Sequence, residues 1–377
     1  MAFARTGIDE FPLNRDGMSA TWIAKCLQRA KVPGPGPSRI AIEELDELGQ
    51  TADAYVVHLD FDEEPDPACP RSLFAKTAPL DDGHRLQIHD LGLYARELSF
   101  YHDFGADPGI PIPNVYFANL NPDTGHFYLL LENLFEHCRQ GDMWRANVAD
   151  VETCIDHLAR FHAHWWQHAR VLTSRWLSPN DALSHFEREV VPMLGTLSSL
   201  CKRKYGNAYT DYLRYVVEHL DRGWARAWTT DPIAETTLLH GDFHPKELFF
   251  QEVDGAPRVI ASDWQATCLG SPGVDLHRIL LAGLSGEQIV EHQERLLARY
   301  HTAVSKQGVN IDEAALSADT RRSMLLAIRN WLFSVAFTDN DMLERSASAV
   351  GVDYLDRIFR GFSDALEWNR VHELMES

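Results

Sequence analysis

Short runs of β-branched and aromatic residues come first along the chain, and longer stretches with apolar residues every three or four positions come after them. The runs at 40–45, 54–61 and 72–77 predict three antiparallel strands, the last two parted by an acidic, Pro-rich loop over 62–70. Two more, at 115–120 and 127–131, flank Asn121-Pro122-Asp123-Thr124-Gly125 and predict a hairpin. Ahead of them, 20–30 reads as a helix stopped by a Val-Pro-Gly-Pro-Gly-Pro stretch, which makes it a tether or an N-terminal cover. Over 90–103, Leu91, Tyr94, Leu98 and Tyr101 recur at helical spacing, and over 151–166 Val151, Cys154, Ile155, Leu158, Phe161 and Trp165 do the same behind an N-cap at Asp150. Helical spacing dominates 180–228, 286–304, 312–338 and 352–371. The pattern therefore predicts a helix and linker over 1–37, a small sheet over 38–134 and a mainly helical remainder over 135–377.

One stretch breaks the helical remainder: His240-Gly241-Asp242-Phe243-His244-Pro245-Lys246-Glu247, then an apolar run at 248–250 and a second at 259–261 that leads into Ser262-Asp263-Trp264-Gln265. Two acids in polar loops beside short strands suit phosphoryl transfer, in which one carboxylate receives a hydroxyl proton and another holds the Mg²⁺ bridging ATP oxygens. Asp242 is the candidate base and Asp263 the candidate metal ligand, since hard Mg²⁺ prefers oxygen donors. Five positions after Asp242, where the kinase loop carries Asn, stands Glu247. It can coordinate Mg²⁺, but when ionised it cannot donate a hydrogen bond.

Lys76 sits inside an apolar strand, where an unpaired ammonium is costly, and Glu97 in the 90–103 helix is its candidate partner. In kinases such a lysine contacts the ATP phosphates and a helix glutamate holds it. The turn over 47–52 contains Gly49, where a missing Cβ lets backbone N–H groups approach a phosphate; an ordinary hairpin turn explains it equally well.

Taken together these residues resemble the aminoglycoside phosphotransferase and choline kinase-like superfamily, with its H-G-D-x-x-x-x-N loop and D-W or D-F metal segment. Asp263-Trp264-Gln265 and Leu131-Glu132-Asn133-Leu134 look most like the ecdysteroid kinase-like branch. The resemblance spans roughly 40–285 and implies an α+β, two-lobed protein kinase-like fold with a small antiparallel-sheet N-lobe and a larger, mainly helical C-lobe. It implies ATP and Mg²⁺ as cofactors and a small hydroxylated molecule as acceptor. It also implies a hinge at Glu132 and Leu134, whose backbone atoms would supply a purine with one acceptor and one donor. His240 would support the loop, and Asp275, in Gly270-Ser271-Pro272-Gly273-Val274-Asp275-Leu276, would brace it.

Composition narrows the partners. A chain of 377 residues, 45% hydrophobic, has enough to bury a real core. Its 55 acidic against 35 basic residues give a formal charge of -20, which opposes nucleic acid and anionic membrane and is compatible with a cationic small substrate. With neither a signal-like start nor an apolar run of about 18 residues, a cytoplasmic protein is expected. The six cysteines are scattered without a C-x-x-C pair, and His157, His162, His164 and His168 share no single helix face with a completing acid, so neither zinc nor disulfides are expected. Two alternatives stay open. Glu247 allows a nucleotide-binding protein with impaired transfer, and His240, Asp242 and His244, with Glu247 and Asp263, could ligate a hydrolytic metal, although that leaves Lys76 and Glu97 unexplained.

Overall fold

Strands β1 (Arg39–Glu44), β2 (Asp53–Asp60), β3 (Ser72–Thr77), β4 (Val115–Leu120) and β5 (Phe127–Glu132) form one antiparallel sheet in the order β1-β2-β3-β5-β4. The three expected strands and the expected hairpin are thus one structure, with β3 at its centre. The computed structural model describes residues 11–45, 51–145, 147–177, 191–227, 233, 235–337 and 340–376. The turn with Gly49 lies outside the described residues, as do parts of the helical stretch expected over 180–228. The chain divides into two units, one of Met1–Arg139 with Ile260–Thr267, the other of Gln140–Val259 with Cys268–Ser377.

In the first unit, successive side chains on a strand point to opposite faces. Leu73 and Ala75 of β3 therefore join Tyr55, Val57, Tyr128 and Leu130 on one face. Helix α1 (Ala20–Arg29) covers that face with Ile23, Cys26 and Leu27, after an N-cap in which Ser19 Oγ accepts from Trp22 N at 3.2 Å. Lys76 falls on the opposite face, paired across the sheet with Ala54 and Leu129. The 90–103 helix begins later than its apolar spacing suggests. Gly92 takes a left-handed φ of 72° and separates α2 (Asp82–Asp90), capped by Asp81, from α3 (Leu93–Phe104). Tyr94 of α3 stacks on Phe127 of β5 with ring centroids 4.2 Å apart.

The second unit is built on α4 (Val148–Trp165), α5 (Leu194–Tyr205), α6 (Asp211–Glu218), α7 (Leu220–Ala227), α8 (Gly273–Gly283), α9 (Gly286–Lys306) and α10 (Glu313–Phe337). The N-cap of α4 is Asn147, whose Oδ1 accepts from Ala149 N and Asp150 N, rather than Asp150. Asp150 stands in the first turn, where its charge suits the positive end of the helix dipole. Leu213, Val216, Leu220, Met324, Ile328 and Leu332 carry the core of this unit. The 352–371 stretch is a π-helical turn, Asp356–Arg360, running into α12 (Gly361–Trp368), with α11 (Asn340–Ala349) before them. Among the helices, β7 (Thr237–Leu239) pairs with β10 (Cys268–Gly270), and β8 (Leu248–Val253) lies between β6 (Arg139–Gln140) and β9 (Ala256–Ala261). All six cysteines are free thiols, and no helix among the described residues is long and apolar enough to cross a membrane.

Candidate active site

A buried ammonium on a sheet needs anions, and Lys76 finds two. Its Nζ lies 2.8 Å from Glu97 Oε2 on α3 and 3.0 Å from Asp263 Oδ1, all within the first unit. Burial alone would push the Lys76 pKa down, but the Asp263 and Glu97 carboxylates outweigh it and hold the pKa above its ordinary value. Glu97 is lifted to about 7, first by burial, with Lys76 opposing the rise and Asp263 adding to it, since one cation serves two carboxylates.

Asp263 reaches this position through a left-handed backbone, φ 58° and ψ 70°, a conformation that costs a non-glycine residue about 1 kcal/mol or more. The neighbouring residues fix it there. Trp264 stacks on Phe100 of α3 at 3.6 Å between centroids, and its indole donates to Ala261 O at 3.3 Å. Gln265 Nε2 donates to Asp263 Oδ2 at 3.2 Å, Thr51 Oγ1 donates to Gln265 Oε1, and Arg96 Nη1 donates to Gln265 O. At the end of β5, Glu132 Oε2 accepts from Asn114 N and Nδ2, and Leu134 is buried with its carbonyl accepting from Cys138 N at 2.9 Å.

The H-G-D loop belongs to the second unit, and Asp275 organises it. Asp275 Oδ2 accepts from His240 N and Oδ1 from Gly241 N, each at 2.8 Å, hydrogen bonds made strong by the charged acceptor. Gly241 has φ +84°, which the Arg of the protein kinase loop would adopt only under strain. His240 is fully buried, and its Nδ1 accepts from Asp242 N at 3.3 Å. The core histidine His162 bridges Asp275 Oδ2, 3.1 Å away, and the Tyr300 hydroxyl, 2.8 Å away. It is satisfied on both nitrogens, yet it also steadies the brace of the loop.

Asp242 has a partner that its sequence neighbourhood does not announce. Arg278 Nε on α8 lies 2.5 Å from Asp242 Oδ1, and His244 Nε2 is 3.4 Å from Oδ2. Burial would raise the Asp242 pKa, but Arg278 and, after it, His244 hold it well below the usual carboxylate range. His244 itself is pushed below its ordinary value by burial, against the pull of Asp242. Glu247 closes a short 3₁₀ turn, Pro245–Glu247, half-buried, with Oε1 3.9 Å from His244 Nε2. A signal for Arg278 was present: it comes three residues after Asp275, which on a helix places both on one face.

Lys76, Glu97 and Asp263 are therefore brought together in one unit, and His240, Asp242, His244, Glu247 and Asp275 in the other. His240, Asp242, His244 and Glu247 are thus neighbours, but among the described residues no three His, Cys, Asp or Glu side chains are placed to hold a metal ion by themselves.

A five-stranded antiparallel sheet with a central Lys–Glu pair, and a mainly helical second unit with a braced H-G-D loop, define the kinase-like fold of the aminoglycoside phosphotransferases. The chain superposes over 94% of its length on 99% of a Ralstonia eutropha JMP134 protein assigned by name to those enzymes, at 14% identity and a TM-score of 0.53. It belongs to the ecdysteroid kinase-like family, whose model matches residues 51–308. More distant resemblances include aminoglycoside phosphotransferase APH(4)-Ia in ternary complex with ADP and hygromycin B, at 12% identity over 86% of this chain and 95% of that one, TM-score 0.45. Another is a Haemophilus somnus 129PT protein assigned by name as a fructosamine-3-kinase, at 12% identity over 95% of this chain and 96% of that one, TM-score 0.47. Curated proteins gave no match.

Proposed function

We propose that this protein moves the γ-phosphoryl group of ATP to a hydroxyl of a small molecule. The observation that carries the reading is the Lys76 ammonium, buried and held between Glu97 at 2.8 Å and Asp263 at 3.0 Å, the arrangement with which kinases grip ATP phosphates. Asp242 orients the acceptor hydroxyl and takes its proton as the new O–P bond forms and the bond to the bridging oxygen of ADP breaks. Its depressed pKa makes it a weak base, so its contribution is orientation first and late proton acceptance second. Asp263 and Glu247 are the residues that would offer oxygen donors to Mg²⁺, which when bound would draw charge off the phosphates. The Glu132 carbonyl and the Leu134 amide are offered to the purine.

The test is ADP release across a panel of hydroxylated metabolites, with nucleotide binding followed by thermal shift. Asp242→Asn should lose about 10²–10⁴-fold in transfer while keeping its nucleotide-induced shift. Unchanged turnover would overturn the assignment. A second reading, nucleotide binding without transfer, draws on the same two facts: Glu247 stands where the loop's Asn would be, and Arg278 occupies Asp242. It predicts that the native protein binds nucleotide but releases no ADP on any acceptor, and that Glu247→Asn restores release.

A further inference from the structure

Beside Arg278, wholly within the second unit, is a cavity of about 180 Å³. That is room for about one ring, since an apolar cavity of about 150 Å³ accommodates benzene. Trp144, Leu281, Trp331, Tyr354 and Phe362 give it aromatic and aliphatic walls. Tyr354 meets Trp144 edge-on, Phe362 stacks against Trp331, and Trp144 Nε1 donates to Ser346 Oγ on α11. Its polar lining is Arg278, Asn330 and Arg357, and among the described lining residues none is acidic.

The two arginines differ. Arg278 is spoken for by Asp242, and through that pair the cavity adjoins the catalytic loop. Arg357 has no carboxylate partner among the described residues. Its Nη2 donates to Ala282 O at 3.1 Å and to Met143 O at 3.4 Å, and its Nε is buried without a partner. Burial with no compensating anion takes its pKa down to about 10, which still leaves it charged at neutral pH. Nearby on α10, Arg329 is likewise lowered to about 10 by burial, and only Asp242 opposes that. Counting Arg278, Arg357 and Arg329 against Asp242 and Glu344, the last of which acts on Tyr354, positive charge exceeds negative charge around this cavity, the reverse of the chain as a whole. A guanidinium taken out of water with only carbonyl dipoles for company is most economically completed by an anion on a ligand, because its planar fork matches a carboxylate.

We infer that the acceptor is an anionic ring alcohol: a single alicyclic or aromatic ring that fills the apolar walls, a carboxylate that meets Arg357, and a hydroxyl directed toward Asp242. The inference rests on the phosphotransferase reading for the fate of that hydroxyl, but the charge preference stands on the cavity alone. It runs against the cationic acceptor that the net charge of -20 leaves open.

The test uses three ring alcohols of one size and different charge: hydroxycyclohexanecarboxylate, its primary amide, and aminomethylcyclohexanol. Each is titrated into the full chain without nucleotide and followed by fluorescence of the cavity tryptophans. The carboxylate should bind about tenfold or more tighter than the other two, the effect of one charge-assisted hydrogen-bonded pair. Arg357→Met should erase that preference, and Arg357→Lys should keep part of it. The inference is overturned if the amine binds as well as the carboxylate, if the three show no preference, or if folded Arg357→Met keeps the wild-type order. Should Arg357→Met fail to fold by circular dichroism, the order in wild type and in Arg357→Lys decides. Adding ATP and Mg²⁺ separates this inference from the one beneath it. Carboxylate binding without ADP release removes the kinase reading and leaves the cavity assignment, whereas ADP release with the amine preferred does the opposite.

Discussion

The Lys76 cluster and the Asp242 loop both place a carboxylate against a buried cation, yet the two are charged in opposite senses. In the first unit one ammonium serves two carboxylates, Glu97 and Asp263. The surplus is negative, and Asp263 adds to the rise that burial gives Glu97. In the second unit Asp242 faces Arg278 directly and Arg329 at longer range, so the surplus is positive and the Asp242 carboxyl stays ionised. A site with spare negative charge suits a divalent cation, and one with spare positive charge suits an anion. The difference teaches that counting acids and bases over the whole chain says little about either.

The largest break in this comparison is Lys76→Met. It leaves two carboxylates buried together, and removing one partner of a buried pair costs about 3–5 kcal/mol. Lys76 holds the Glu97 pKa down against burial, so without it Glu97 takes up a proton already above pH 7, and the loss should ease as pH falls through that range because the Glu97 charge disappears. Urea denaturation at pH 9 and pH 6 checks this, and transfer should fall about 10²–10³-fold with loss of the nucleotide-induced shift. Equal destabilisation at both pH values would count against the negative surplus.

Asp275→Asn breaks the other side. The amide oxygen can still accept one of the two loop N–H groups, but the charge and one acceptor are gone, and His162 loses its anion. A loss of about 2–3 kcal/mol is expected. Transfer should drop more than nucleotide binding, since the perturbation enters through the loop that holds Asp242; thermal melts with and without nucleotide separate the two.

The smallest effect at neutral pH comes from His277, one residue before Arg278 on α8. It is buried, donates Nδ1–H to Gly273 O at 3.0 Å, and is lowered to about 4, by burial first. Between about pH 6.5 and 4 the unfolded chain therefore binds a proton that the native one refuses, so stability is complete above that window and falls as pH descends through it, by about 3 kcal/mol. Asp242, whose pKa is depressed, loses its contribution only at lower pH, as acid protonates it in the native state. His277→Gln should leave stability near pH 7.5 little changed and flatten its fall between pH 6.5 and 4, measured by denaturant midpoints along that range.

Much of the fold was legible because strand and helix periods are local. Runs such as Leu73-Phe74-Ala75 and the spacing along 151–166 were sufficient to place β3 and α4 to within a few residues. The start of α3 was misjudged because Leu91 fits the apolar period while Gly92, one step on, has the backbone freedom to end it. The N-cap of α4 was misplaced by three residues, since Asn147 and Asp150 are equally good capping types and only the observed hydrogen bonds choose between them. At the site, Asp242, Asp263, Lys76 and Glu97 stood out by residue type at motif positions. Arg278 carried only its helical spacing from Asp275, and Arg357 and the bridge from His162 to Asp275 carried no signal, since each depends on a partner more than 30 residues away.

What the chain order alone determined is the inventory: a central-strand lysine, a helix glutamate, two acid-bearing loops, and elements whose apolar periods could each be counted within a dozen residues. What only the tertiary structure decided is the company each charge keeps, including the two carboxylates that share Lys76, the arginine on Asp242, and the ring-sized cavity with an unmatched guanidinium. The reason is physical. Periodicity is set by neighbours along the backbone, whereas burial and Coulomb energies are set by neighbours in space, and those are known only once the chain has folded.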